Sequence, residues 1–325
     1  TRPTRGADGC RVARVRVARA AARRFRHWRS APPDLMPHVR DLLGDRDPQV
    51  CGVAVEAAAH GGEPAGTVAD ELARIAVAGR DTHRGAAQVA LNTLVRLAHP
   101  GWRAPMLAAW AEGRDPAATD LFDDYPPAFD PEILAAARHR LAAQLATGVR
   151  GNPVRVLVGL LGGWGPDAAV AVGDLMTALS LAPAGVPAAL AGIGPAALVA
   201  VPSLLVAARS GDVQAGHAVL RLTGDPGPLV AAARALLAAD GQRLAWDLGL
   251  IADAGPEAGC LIALLRDRLT GVADQGRWAR AEQIGAARVV WRATGDSSLV
   301  LPTVRAVLLA GDLPVRAAAA ICSST

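Results

Sequence analysis

Five segments of this chain read alike when stacked: GWGPDAAVAVGDLMTAL (163–179), GIGPAALVAVPSLLVAA (192–208), TGDPGPLVAAARALLAA (223–239), DAGPEAGCLIALLRDRL (253–269) and TGDSSLVLPTVRAVLLA (294–310). Each opens on a Gly or Asp turn, usually followed by Pro, and runs on into about a dozen mostly apolar residues. Their starts lie about 29, 31, 30 and 41 residues apart, a period typical of repeat arrays. That period limits the fold sharply. One short unit cannot bury its apolar face alone, so neighbouring units must complete its core.

The parts of the unit have a local logic. Gly just past a helix end supplies a left-handed cap. Pro at the first helical position forfeits no hydrogen bond, and Pro166, Pro195, Pro228 and Pro256 suit such a start. Leu229, Ala233, Leu236 and Leu237 then fall at i, i+4, i+7 and i+8, as do Val300, Val304, Val307 and Leu308, and Leu35, Val39, Leu42 and Leu43. That spacing is one apolar stripe on a helix. A second helix follows, with stripes at Val154, Leu157, Val158 and Leu161, and at Leu244, Leu248 and Ile251. Short polar turns separate the two, as at Gly44–Pro48, Ser210–Asp212, Asp240–Gly241 and Gly311–Asp312. The unit is helix, turn, helix, turn, and its Ala-rich faces let helix axes approach closely.

Residues 33–62, PDLMPHVRDLLGDRDPQVCGVAVEAAAHGG, show the whole unit: a helix, the turn Asp45-Arg46-Asp47-Pro48-Gln49-Val50, an Ala-rich helix and a closing Gly. Here the chain resembles the HEAT-repeat family, in particular the short bacterial HEAT-like repeats also found in bilin-lyase-type proteins. Family members often carry Val-Arg after the Asp-Pro turn, whereas Val50 is followed here by Cys51. Units near 195–225, 226–255 and 297–325 fit as well. The resemblance covers most of residues 31–325 in about nine units and weakens at 101–130. It implies an all-α fold, a right-handed α-solenoid of stacked helix-turn-helix repeats, with a concave face that binds a partner. The pattern specifies a fold and is nearly silent on function.

Composition narrows the remaining classes. The chain has 325 residues and is 51% hydrophobic, too apolar for a disordered chain. All 34 basic residues are Arg. Ten of them lie in the first thirty residues beside one acid, Asp8, so the rest carries 24 Arg against 29 acids. Residues 1–30 therefore read as a flexible Arg-rich arm ahead of a solenoid over 31–325. Such an arm can attract nucleic acid or anionic lipid, and it equally suits a merely solvated tail. Cys10, Cys51, Cys260 and Cys322 form no CxxC pair, which suits scattered thiols in a reducing, cytoplasmic setting. No Cys/His cluster has metal-ligand spacing and no cofactor is expected. Residues 175–208 hold no charge until Arg209, but Pro183, Pro187, Pro195 and Pro202 interrupt them, so short buried helices are expected there rather than a membrane span.

Two places depart from the period. Residues 111–132 hold the only Tyr, two of the three Phe and an acidic cluster, Asp120, Asp123, Asp124 and Asp130. They read either as a loop on a binding face or as a degenerate repeat whose aromatics fill a packing gap. The unit at 256–296 is longer than its neighbours, with Thr270–Gln275 as a lengthened loop.

Chemical motifs are weak. Gly192-Ile193-Gly194-Pro195-Ala196-Ala197 fits a dinucleotide fingerprint but lacks the strand that must precede it. Some DNA glycosylases for alkylated purines use HEAT-like repeats with an Asp, Trp and Arg suited to a cationic glycosyl transition state. Trp110, Arg114 and Asp115 are the nearest counterparts, yet Asp115 precedes Pro116, where a turn is expected. Trp246 and Trp291 fall in second helices, and Arg221 and Arg292 precede the two Thr-Gly-Asp turns. On a concave face these four would be binding hot spots; as core, the two Trp would fill the space between repeats. The leading expectation is a non-enzymatic scaffold that binds another protein. A DNA-binding protein or alkylpurine glycosylase is the alternative, and a structural module of a larger protein is a third, since the chain begins with Thr and ends in Ile-Cys-Ser-Ser-Thr.

Overall fold

Aspartate followed by proline starts two of the best-defined helices. Asp47 Oδ1 accepts the backbone N–H groups of Gln49 and Val50, and Asp130 Oδ1 accepts those of Glu132 and Ile133, each with Pro at the first helical position. These are the donors a helix start leaves without intrahelical partners. Asp212 does the same for Ala215. The computed structural model describes residues 5–27, 33–78, 84–115, 122, 125–181, 184–238, 244–269 and 277–309, and these contain helices, turns and short connections with no strand. The protein is all-α, and it divides into two compact units, Thr1–Trp164 and Gly165–Thr325.

The first unit contains α1 (Arg5–His27), α2 (Met36–Leu43), α3 (Pro48–Ala59), α4 (Ala69–Ala78), α5 (Arg84–Arg96), α6 (Arg103–Ala111), α7 (Pro131–Ala146) and α8 (Asn152–Gly163). Helix α1 packs on α3 and α3 on α5, while α2 contacts α4 and α4 contacts α6. Two rows of helices therefore run side by side, linked by the pairs α2–α3 and α4–α5. The Arg-rich segment expected as a flexible arm is instead the first helix of this unit. Val15, Ala18, Ala21, Ala22 and Phe25 form a buried stripe along it, so it closes the row that α3 and α5 continue. Arg14 pairs with Asp45 at 2.8 Å in the turn before α3.

The irregular stretch after α6 is held by aromatic packing. Phe122 is buried with its ring 6.3 Å from that of Trp102. Phe129 meets Trp164 edge-on at 5.6 Å, and Trp164 Nε1 donates to the Pro127 carbonyl at 2.9 Å. A Cβ at Gly163 would stand 2.7 Å from Pro126 Cβ, so only glycine lets this stretch lie against the end of α8. These contacts match the packing alternative. Asp120, Asp123 and Asp124 lie outside the described residues.

The second unit contains α9 (Val172–Leu181), α10 (Val186–Ile193), α11 (Val201–Arg209), α12 (Val213–Thr223), α13 (Gly227–Ala238), α14 (Leu244–Ile251), α15 (Ile262–Leu269), α16 (Arg277–Thr294) and α17 (Leu301–Leu309). Second helices contact in sequence, α10 with α12, α12 with α14 and α14 with α16, and first helices do so from α11 to α13. The starts differ from the simple expectation. Pro166, Pro195 and Pro256 do not open α-helices directly but lie in 3-10 segments, Gly165–Ala171, Gly194–Ala200 and Ala252–Leu261, which lead into α9, α11 and α15. Only Pro228 sits at the start of an α-helix. The tighter 3-10 turn is a common entry to an α-helix. The core is small and aliphatic: Ala197, Ala200, Leu204, Ala218, Leu229, Ala233, Leu248, Ile251 and Ala258 are all buried. At Gly216 a Cβ would meet Leu229 Cα at 2.7 Å, so α12 and α13 touch backbone to backbone there. Thr270–Gln275 lie outside the described residues.

Candidate interaction surface

The two Thr-Gly-Asp turns are built alike. Thr223 Oγ1 donates to Val219 O and accepts from Asp225 N, and Asp225 Oδ1 accepts from Gly227 N. Thr294 Oγ1 donates to Val290 O and accepts from Asp296 N, and Asp296 Oδ1 accepts from Ser298 N. The bond from Ser298 holds the Asp296 carboxyl below its ordinary value. Gly224 and Gly295 take φ of 78° and 69°, a conformation that glycine adopts without steric cost. The repeat thus fixes where each second helix ends and so which residues occupy equivalent places on it.

Six residues before the aligned starts Thr223, Asp253 and Thr294 stand His217, Asp247 and Arg288. His217 and Arg288, one on α12 and one on α16, both face Asp253, which follows α14. His217 Nε2 is 3.0 Å from Asp253 Oδ2, and Arg288 Nη2 is 3.9 Å from Oδ1. Asp253 hydrogen-bonds His217 and forms a longer ion pair with Arg288, and so links two neighbouring layers. Asp247 is half-buried, and burial, followed by repulsion from Asp212, pushes its carboxyl above the ordinary value. A His–carboxylate pair can move a proton. Among the described residues no Ser, Thr or Cys hydroxyl or thiol is hydrogen-bonded to His217.

One turn beyond His217 and Arg288 come Arg221 and Arg292, both exposed and neither in an ion pair among the described residues. Trp291, beside Arg292, is half-buried, so it both fills space and shows an edge to solvent. The Trp246 side chain lies outside the described residues. The structure therefore brings Arg221 and Arg292 to equivalent places, one on α12 and one on α16. The members that sequence reading missed are His217, Asp253 and Arg288. The signal for His217 and Arg288 was their shared offset of six residues from the turn, and Asp253 opens the turn of the segment between them.

A second surface feature follows the same register. The eighth residue of each stacked segment is Val170, Val199, Val230, Cys260 and Leu301. Val170, Val199 and Leu301 are 61%, 63% and 58% exposed, Val230 is half-buried, and Leu198 and Val206 of the second segment are exposed as well. The 3-10 segments that carry Val170 and Val199 are in contact with each other. Two runs here, Val186–Arg209 and Asp247–Arg266, are long and apolar enough to cross a membrane by length and composition. Each is interrupted, at Gly194 with φ 79° and at Gly255 with φ 61° before Pro256.

The glycosylase candidates do not converge. Trp110 is buried, and Arg114 pairs with Glu112. Asp115 accepts from Arg140 Nη2 at 2.7 Å and Nε at 3.0 Å, and from Gln144 Nε2 at 2.8 Å. Both oxygens are occupied by neighbouring side chains rather than open to a substrate. Of the dinucleotide-like glycines, Gly192 lies within helix α10 and Gly194 is its C-cap. Among the described residues no three His, Cys, Asp or Glu side chains gather as metal ligands. No protein-family model matches the chain, and comparisons with curated proteins and with solved structures find no significant match.

Proposed function

We propose that this protein is a non-enzymatic scaffold, a HEAT-like α-solenoid whose second unit binds a partner protein. The resemblance of residues 33–62 to HEAT-like repeats supports the solenoid, as does the sequential packing of α1, α3 and α5 within the first unit and of α10, α12, α14 and α16 within the second. The observation that carries partner binding is the apolar row at one repeat position, with Val170, Val199 and Leu301 each more than half exposed. Val170 and Val199 lie on 3-10 segments in contact with each other, and adjoining exposed apolar side chains mark interaction surfaces. Arg221 and Arg292, without an ion pair among the described residues and equivalent in register, supply a second, cationic contact on the concave side, with Trp291 next to it. The test is cross-linking and affinity capture with the wild type, V199D/V206D and R221E/R292E. A protein held by the wild type and lost from either variant supports the reading and identifies the face. Identical recoveries from all three overturn it.

The alternative of nucleic-acid binding has one observation in its favour, and it lies on helix α1 rather than on this surface.

A further inference from the structure

We infer that the outer face of α1 binds the phosphate backbone of a nucleic-acid duplex, through a ridge formed by Arg16, Arg19 and Arg23. This goes beyond the scaffold reading and does not depend on it. The apolar side of α1 is occupied: Val15, Ala18, Ala22 and Phe25 are buried within the first unit. Arg11 and Arg14, on the flank, are paired with Asp47 and Asp45. Opposite the buried stripe, Arg16, Arg19 and Arg23 are all exposed, and none has an ion-pair or hydrogen-bond partner among the described residues. At 100° per residue they fall within about 60° of one another, and they span about 10 Å of helix. Three cations are thus held in one line by a helix whose own packing fixes which way they point.

The chemistry of the ridge selects its occupant. Guanidinium forks match phosphate oxygens and remain charged at any working pH. A membrane-surface helix needs a free apolar face to enter the lipid boundary, and the apolar face of α1 is already used. A protein partner would need a desolvated aromatic or aliphatic anchor at the centre of its interface. Besides the Arg residues, the outward arc offers only small side chains such as Ala20 and the scattered Val12 and Val17. A duplex needs no such anchor, because neutralised phosphates release counterions and supply the affinity. The rest of the chain carries 24 Arg against 29 acids and so does not attract a polyanion by net charge. Binding through the ridge is therefore independent of base sequence.

The experiment is fluorescence anisotropy of the full chain with a labelled mixed-sequence DNA duplex across a salt series. The expected result is binding whose log–log salt slope is about −3, the value for three phosphate contacts at roughly −0.9 each. R16Q/R19Q/R23Q is expected to lose affinity by about tenfold or more and to flatten that slope. R150Q/R209Q/R305Q, which removes the same charge from exposed positions elsewhere, is expected to bind as the wild type does. Circular dichroism of each variant verifies that the helices persist. No salt-dependent binding, or equal losses in both triple variants with helices intact, overturns the proposal. Tighter binding to phosphatidylserine vesicles than to the duplex at the same ionic strength, abolished by R16Q/R19Q/R23Q, also overturns it and assigns the ridge to a membrane surface.

Discussion

Asp115 grips Arg140 with both carboxylate oxygens, Oδ2 on Nη2 at 2.7 Å and Oδ1 on Nε at 3.0 Å, across 25 positions of sequence. Arg140 Nη2 also donates to the carbonyl of Gly113. The bond from Asp115 drives the guanidinium pKa upward against the opposing effect of burial. The pair ties the end of α6 to the middle of α7. It is about one-fifth exposed, so solvent screens it only in part. Asp115→Ala leaves Arg140 and the buried amide of Gln144 without this acceptor, and the expected cost is about 1–3 kcal/mol in urea unfolding. A double-mutant cycle with Arg140→Met should return a coupling above about 0.5 kcal/mol. A coupling near zero would remove the pair from the account of stability.

The contact of α12 with α13 predicts opposite effects for two glycines. A Cβ at Gly216 would meet the backbone of Leu229 at 2.7 Å, while at Gly173, exposed on α9, nothing lies within 4 Å. Gly216→Ala should destabilise by about 1–3 kcal/mol through overpacking. Gly173→Ala should stabilise by about 0.4–1 kcal/mol, because the unfolded chain loses freedom and the native helix loses nothing. Thermal unfolding of both variants checks the sign of each change.

Asp247 makes stability depend on pH. Burial raises its carboxyl above the ordinary value, with Asp212 adding to the shift. The native state then holds a proton that the unfolded state has already released. Stability contributed here falls as pH rises from the ordinary Asp range to the raised value, and stays low above it. Asp247→Asn should unfold at a higher temperature than the wild type at pH 7 and at the same temperature below the ordinary Asp range. Equal midpoints at both pH values would contradict this.

The two cysteines whose side chains are described should differ in reactivity. Cys51 is buried, its Sγ lies 3.5 Å from the Leu43 carbonyl, and burial together with Asp45 pushes its thiol up. Cys260 is exposed beside Arg234 Nη2 at 3.1 Å. The thiolate is the reactive form. In a C10S/C322S background iodoacetamide should label Cys260 first and Cys51 only after unfolding, as read by peptide mass spectrometry. Equal rates in the native protein would place Cys51 outside the core.

The local devices were legible in the residues themselves. At Asp47-Pro48 a carboxylate accepts the first free N–H groups and Pro has none to lose, and the same pairing at Asp130-Pro131, read from the sequence only as part of an acidic cluster, starts a helix in the structure. The two Thr-Gly-Asp turns, and with them the register of Arg221 and Arg292, follow from side-chain bonds that span only a few residues. Helical spacing placed the stripes at Leu35–Leu43 and Val154–Leu161 without any knowledge of their partners. The Arg-rich start was harder. Its stripe at Val15, Ala18, Ala22 and Phe25 has helical spacing, yet burying it favours a helix only when α3 presents a complementary face, and ten Arg in thirty residues otherwise describe a solvated arm. Asp115 and Arg140, His217 and Asp253, and Phe129 and Trp164 are likewise pairs that no local pattern announces, because each is made by elements packing across 25 to 36 positions. Sequence by itself determined most of the helices after the first, several of their caps and the spacing at which the segments recur. Tertiary structure alone decided which charges are spent on neighbours and which stay free for a partner, because that depends on distances that exist only once the helices are packed.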